Sequence, residues 1–302
     1  MIGKIIELGK RIYDTSNPRE KHRFVVFVGR SLLHKSAMQD LYDWFMLDDE
    51  RRQILEKNPF PMEQVTRAFF YKGSTFRERV DIIKNHYCYL LDKVKLDYAL
   101  HISNMQGNYT IWTANDEGEE WTARLMNTPG NRKEGMMTLV MHFGGMQLYQ
   151  VMFWLGYNEK NEPCLYIGAM QGPNMDGAKD IVKEATKRAH RYRTKNLIIY
   201  MTMAVARSLG VKHIYAVSNA GYYAMNHVRR DRKLKTDFGE FWEETGGHVT
   251  EDPRFYEIPL TEQRKTMEEV PTRKRAVYRK RFAFQDDVDA QISANMQKIM
   301  RG

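Results

Sequence analysis

The segment CLYIGAMQGPN, residues 164–174, decides how the rest of the chain is read. It opens as a buried strand through Leu165, Tyr166, Ile167, Ala169 and Met170, then stops at Gln171-Gly172-Pro173-Asn174. A helical pattern follows from Asp176 to His190. A core strand that ends in a polar residue, a glycine and a proline just before a helix is a frequent place for binding an anion, and equally a plain turn. Gly172 permits close backbone approach, and Asn174 either caps the helix or contacts a ligand.

Outward from that joint, the preceding sequence reads as an antiparallel meander over residues 109–171. NYTIWTA and EEWTARLMN flank Asp116-Glu117-Gly118, and EGMMTLVMHF and LYQVMFWLGY flank Gly144-Gly145. Their valine, tyrosine, tryptophan and phenylalanine content suits a pleated surface. Beyond the joint, Thr194 to Leu209 has the wide apolar face of a buried helix, with Thr194 placed to cap it and Gly210 to stop it. VKHIYAVSN reads as a buried strand, FGEFWEETGG as a short helix, and RFYEIPL and RAVYRKRFAF as the last strands.

The first hundred residues read as helices. RSLLHKSAMQDLYDWFML places Leu32, Leu33, Met38, Leu41, Trp44, Phe45 and Leu47 near one helical face. Thr75 and Glu78 stand at capping-box spacing before STFRERVDIIKNHYCYLLDKV. The expected organisation is a helical region over 1–105, a sheet-containing domain over 106–284, and a polar tail over 285–302 that is helical or disordered. The fold class is α+β, an α/β sandwich with a mixed, mostly antiparallel sheet flanked by helices.

The chain has 302 residues and a net charge of +9. Residues 1–150 carry 21 Lys/Arg against 19 Asp/Glu, and residues 151–302 carry 26 against 19, so the excess lies in the second half. Such an imbalance suits an acidic partner or simply solubility. No apolar run is long enough for a membrane span, and the start lacks the apolar stretch of a signal peptide. The expected compartment is the cytoplasm, with the inner-membrane surface as the alternative. Cys88 and Cys164 make no disulfide framework, no metal-ligand spacing occurs, and no Walker loop, dinucleotide fingerprint or nucleophile elbow is present.

Read together, EGMMTLVMHF, LYQVMFWLG, IGAMQGPN, AVSNAGYY, FWEETGG, FYEIPL and VPTRKRAVYRKRF resemble, in order and spacing, the VirK/YbjX family of bacterial proteins. That resemblance implies a link to virulence, envelope stress and resistance to cationic antimicrobial peptides. The order of elements also resembles the GNAT acyltransferase-like fold. In that fold the loop at IGAMQGPNMDGAKD would cradle the pyrophosphate of acyl-CoA, and Asn219 resembles the asparagine common after the next strand. The loop departs from the usual glycine spacing, and Pro173 removes one N–H donor. This turns attention to acyl carrier protein as an alternative donor.

The expected function is therefore a GNAT-like acyltransferase, or a related modifying enzyme, acting on a peptide or envelope component. Gln171, Gly172, Asn174, Ser218 and Asn219 are the candidate donor-binding residues. His213, Tyr222, Tyr223 and His142, each with packing as its plain alternative, and Glu134, with a solvated hairpin residue as its alternative, are the candidates for moving protons. In a strand, Arg273, Arg275, Arg279 and Arg281 would share one face, fit to dock a carrier protein, an anionic lipid or nucleic acid, or merely to protect an edge. KRAHRYRTK and VRRDRKLK add basic surface. The competing readings are a non-catalytic binding module for an anionic partner and a peptide-tailoring enzyme with an unrecognised metal.

Overall fold

The structure is a computed structural model that describes residues 1–226 and 237–302. The basic segment VRRDRKLK lies outside the described residues. Seven helices come first: α1 (Ile2–Ile12), α2 (Pro18–Leu33), α3 (Lys35–Phe45), α4 (Asp49–Lys57), α5 (Phe60–Gln64), α6 (Phe76–Lys93) and α7 (Leu96–Ser103). Five strands follow: β1 (Asn108–Asp116), β2 (Glu119–Met126), β3 (Met137–Phe143), β4 (Met146–Tyr157) and β5 (Pro163–Gln171). Then come α8 (Ala178–Arg188), α9 (Thr194–Leu209), β6 (His213–Val217), α10 (Phe238–Glu244), β7 (His248–Val249), β8 (Phe255–Ile258) and α11 (Arg275–Ile299).

The eight strands form one sheet in the order β1-β2-β3-β4-β5-β6-β8-β7. Among the described residues every pairing is antiparallel except β5 with β6, so the fold is α+β with a mixed, mostly antiparallel sheet. A parallel pair needs a long crossover, which α8 and α9 supply. Of the two, α9 is the core helix, with 12 of its 16 residues buried, whereas α8 buries only Ala185. One hydrophobic cluster runs from Ile5 in α1 to Ile299 in α11.

Two irregularities position the site. First, Gly168 is an extra residue in β5. Phe153 pairs with Ile167 and Met152 with Ala169, so the pleat shifts phase there. Tyr166 before the bulge and Gln171 after it then face the same side of the sheet, which strict alternation forbids. Second, β6 pairs with β5 only through Cys164–Ile167, and β5 runs four residues further. The two strands part beyond Ile167.

Helix α6 opens with the capping box expected from its sequence: Thr75 accepts from Glu78 N–H, and Glu78 accepts from Thr75 N–H. Its His86, fully buried, accepts from the Leu155 N–H at 3.1 Å through Nδ1, where β4 extends beyond the start of β3. Burial holds that imidazole neutral, with its pKa down at about 3.

Several expectations are corrected. RAVYRKRFAF is not a strand but the first part of α11, whose Val288, Ile292, Met296 and Ile299 continue as a buried stripe. The expected tail is thus a packed helix lying against α9 and β1. The alternating Arg and Lys imitate a strand period, but both are good helix formers, and the stripe downstream sets the helix. The face expected across RSLLHKSAMQDLYDWFML is broken at His34, where α2 ends and α3 begins, so Leu33 and Leu47 are exposed. Thr194 is the first residue of α9 rather than its cap, which is Arg193.

Candidate functional site

The loop between β2 and β3 carries Glu134 onto the sheet face shared by Tyr166 and Gln171. It crosses so close to β5 that a Cβ on Gly168 would lie 1.8 Å from the Glu134 carbonyl oxygen. Only glycine tolerates that approach. The N-terminal helices fix the loop. Gln64 donates to the carbonyls of Arg132 (2.8 Å) and Gly135 (3.1 Å), and Phe70 N–H donates to Lys133 O at 2.8 Å. Arg132 Nε donates to the buried Glu63 carboxylate at 2.6 Å, and the Tyr13 hydroxyl donates to the same carboxylate at 2.7 Å.

Glu134 itself is buried. Its Oε1 accepts from the Tyr222 hydroxyl at 3.0 Å and from Gln171 Nε2 at 3.4 Å. Burial pushes its carboxyl up to about 7, and the neighbouring Tyr222, Lys133 and Gln171 offset this only in part. The Tyr222 hydroxyl is raised as well, first by burial and then by Glu134. Behind this pair runs a polar chain. Gln150 Nε2 donates to Gln171 Oε1 at 2.9 Å, Asn131 Nδ2 donates to Gln150 Oε1 at 2.8 Å, and Asn131 also reaches Thr138 Oγ1 at 3.3 Å. A carboxyl poised near neutrality beside a phenol, where a parallel strand pair opens, has the protonation range of a general base or acid.

Of the residues singled out from the sequence, Glu134, Gln171 and Tyr222 therefore meet. Tyr223 is buried and packs edge-on against Phe69 and Tyr222. Gly172 lies beside the Tyr149 ring, and Asn174 is exposed; the residue before α8 is Gly177, in left-handed backbone, so Asn174 is not its cap. Ser218 Oγ donates to Pro253 O and accepts from Gly221 N–H. Asn219 Oδ1 accepts from Phe238 N–H at 2.9 Å and so holds the start of α10.

His213 is elsewhere. It pairs with Cys164, seven residues before Gln171, so about 20 Å of strand separates the two. Its Nδ1 lies 2.7 Å from Glu257 and its Nε2 3.0 Å from Glu162. The Glu257 contact, with Glu162, raises its pKa. His142, on β3, is lowered by burial and by Arg124, and does not join Glu134.

The four arginines do not share a strand face. Arg273 is exposed in a 3-10 turn, Arg275 donates to Val270 O, Arg279 is exposed, and Arg281 donates to the carbonyls of His190 and Arg191. The run KRAHRYRTK is largely paired internally: Arg188 with Asp116, Glu117 and Glu184, and Arg193 and Lys195 with Glu244. Sequence reading did not single out Gln150, Asn131, Glu63 or Arg132. Gln150 was detectable as the polar break in the apolar LYQVMFWLGY; the loop residues carried no pattern.

A family model described as "Protein of unknown function (DUF535)" matches residues 16–294. The chain belongs to this family. Among similar DUF535 relatives is the uncharacterized protein YbjX of Escherichia coli (strain K12), 25% identical over 260 residues, covering 85% of this chain and 77% of that protein. An uncharacterized protein of Haemophilus influenzae is 29% identical over 125 residues, 41% of each chain. The membrane protein LapB of Mannheimia haemolytica is 21% identical over 197 residues, 62% of this chain and 79% of LapB. No solved structure matches. Among the described residues of this DUF535 chain, no helix is long and apolar enough to cross a membrane.

Proposed function

We propose that this protein is a GNAT-like transferase that moves an acyl group from a thioester donor to a nucleophile on a peptide or envelope component. One observation carries the reading: a buried carboxyl with its pKa near 7, Glu134, sits at the point where the parallel pair β5 and β6 opens, bonded to Tyr222 and Gln171. Glu134 takes the proton from the attacking amine or hydroxyl. Tyr222 supplies one to the departing thiolate. Gln171 orients the carboxyl.

Support for a donor at the following loop is its backbone. Among the described residues, the N–H groups of Asn174, Met175, Asp176 and Gly177 have no acceptor within the protein, which leaves them free for an anion. Acyl-CoA and acyl carrier protein both present a phosphate to such a loop. The exposed Arg273, Lys274, Arg279 and Lys280 at the start of α11 suit an acidic carrier protein or an anionic lipid surface. The same residues favour the alternative of a non-catalytic module for an anionic partner.

Native mass spectrometry after mixing with acyl-CoA, and separately with acyl carrier protein, tests the reading. A bound donor that Glu134→Gln still binds but no longer consumes supports it. Failure of both donors to bind, with salt-sensitive binding to anionic vesicles retained, favours the binding module instead.

A further inference from the structure

The same sheet face carries a second feature, separate from Glu134: an open cleft of about 760 Å³. Its floor is a rung of the sheet. Trp154 pairs with Tyr166, Tyr166 with Tyr215, and Tyr215 with Glu257, across β4, β5, β6 and β8. Trp154 stacks on Tyr166 at 5.4 Å and 5°, Tyr166 is tilted against Tyr215 at 5.3 Å and 31°, and Tyr215 lies parallel to His213 at 5.8 Å and 9°. Gly156, next on the Trp154 side of β4, adds no side chain over Tyr166. The floor is thus a run of aromatic rings, with Trp154 buried and Tyr166 and Tyr215 partly buried.

The walls are acidic. Among the described residues, seven carboxylates line the cleft against one lysine, one arginine and the histidines His213 and His248, in a protein whose net charge is +9. The arginine, Arg254, is already paired with Asp252 and lies over the Tyr71 ring at 4.8 Å, so one guanidinium already rests on an aromatic ring in this wall. Glu162 and Glu257 flank His213. Glu159 and Glu251, at the rim, are exposed and have no ion-pair partner among the described residues. Aromatic faces attract cations through their quadrupole, and carboxylates supply the countercharge.

We propose that this cleft binds an organic cation, a guanidinium or ammonium on a short apolar stem, lying against Tyr166 and Tyr215 with its charge toward the rim carboxylates Glu159 and Glu251. The inference does not rest on the transferase reading. It concerns binding alone and is tested without a donor.

Isothermal titration of the full chain with Nα-acetyl-L-arginine amide and with its neutral isostere Nα-acetyl-L-citrulline amide tests it. The acetylated arginine amide binds, and the acetylated citrulline amide binds roughly tenfold more weakly or worse. Tyr215→Leu, which keeps an apolar side chain but removes the ring, weakens the acetylated arginine amide to a similar degree. The doubly substituted Glu159→Gln/Glu251→Gln protein, altered only at exposed positions, weakens it severalfold and flattens its salt dependence. Equal affinity for the two amides, or no binding of the acetylated arginine amide at about 1 mM, overturns the proposal. If Tyr215→Leu does not fold, the rim double variant decides: unchanged affinity there also overturns it.

Discussion

The Tyr222 hydroxyl donates to Glu134 Oε1 across 3.0 Å, joining the segment after β6 to the loop between β2 and β3. These are 88 residues apart in sequence, and they meet because β6 parts from β5 and the Glu134 loop occupies the opening. The proton chemistry proposed for the protein depends on that contact, as do the first two predictions.

Glu134→Gln separates stability from activity. The folded pKa near 7 exceeds the ordinary glutamate value, so the raised group favours the folded state fully only below about pH 4.5; this is lost as pH rises to about 7. Glutamine carries no proton to lose. The variant should match the wild type near pH 4 and exceed it at pH 8, by on the order of 2–3 kcal/mol in denaturant unfolding. Transfer activity should fall by roughly 10²–10⁴-fold.

Gly168→Ala tests the close approach of the loop. The new methyl would collide with the Glu134 carbonyl, a backbone atom, so the loop must move. A loss of about 3 kcal/mol, with the raised carboxyl pKa abolished, is expected. Gly3→Ala is the control: nothing lies within 4 Å of its Cβ position in α1, and helix propensity predicts a gain of about 0.5–1 kcal/mol.

Arg132→Met tests the clamp from the N-terminal helices. It leaves Glu63, with its side chain 2% exposed, short of its nearest cation. Thermal and denaturant unfolding should show a loss of about 3 kcal/mol. Adding Glu63→Gln should restore part of it, since the uncompensated charge is the main cost.

Much of the fold was legible in the sequence. The meander over 109–171 follows from aromatic and β-branched residues between turn signals, and the Thr75–Glu78 capping box and the Gly210 stop stand as read. The bulge at Gly168 was not legible, because one extra residue leaves composition and apolar content unchanged while shifting which side chains face the site. The start of α11 was misread because Arg and Lys alternate there, although Ile292 and Met296 follow at helical spacing. Within the site, Gln171 and Tyr222 could be brought together from the parallel order of two strands. Their meeting with Glu134 could not, because nothing local to the β2–β3 loop marks where it crosses the sheet. His213 sits at the opposite end of β6, which periodicity alone does not separate from the site.

That histidine gives a prediction of its own. Between Glu257 and Glu162 its folded pKa is raised, so the contribution is fully present below the unfolded value of about 6.5 and disappears as pH rises through the higher folded value. His213→Gln should therefore lower the melting temperature most between about pH 5 and 6.5, and little at pH 9. Equal shifts at both pH values would show packing rather than charge at work.

Ile292→Ala addresses the C-terminal helix. The side chain is fully buried, so a cost of about 2–5 kcal/mol is expected in denaturant unfolding. A chain ending at residue 284 should lose cooperative unfolding, because it uncovers β1 and α9.

The most direct measurement is a carbon-13 NMR titration of the glutamate side-chain carboxyls, with Glu134→Gln to assign the resonance. A single carboxyl titrating near pH 7, missing in the variant, is the result expected. A Glu134 carboxyl titrating near 4.5 would contradict its role as the proton acceptor of a transferase.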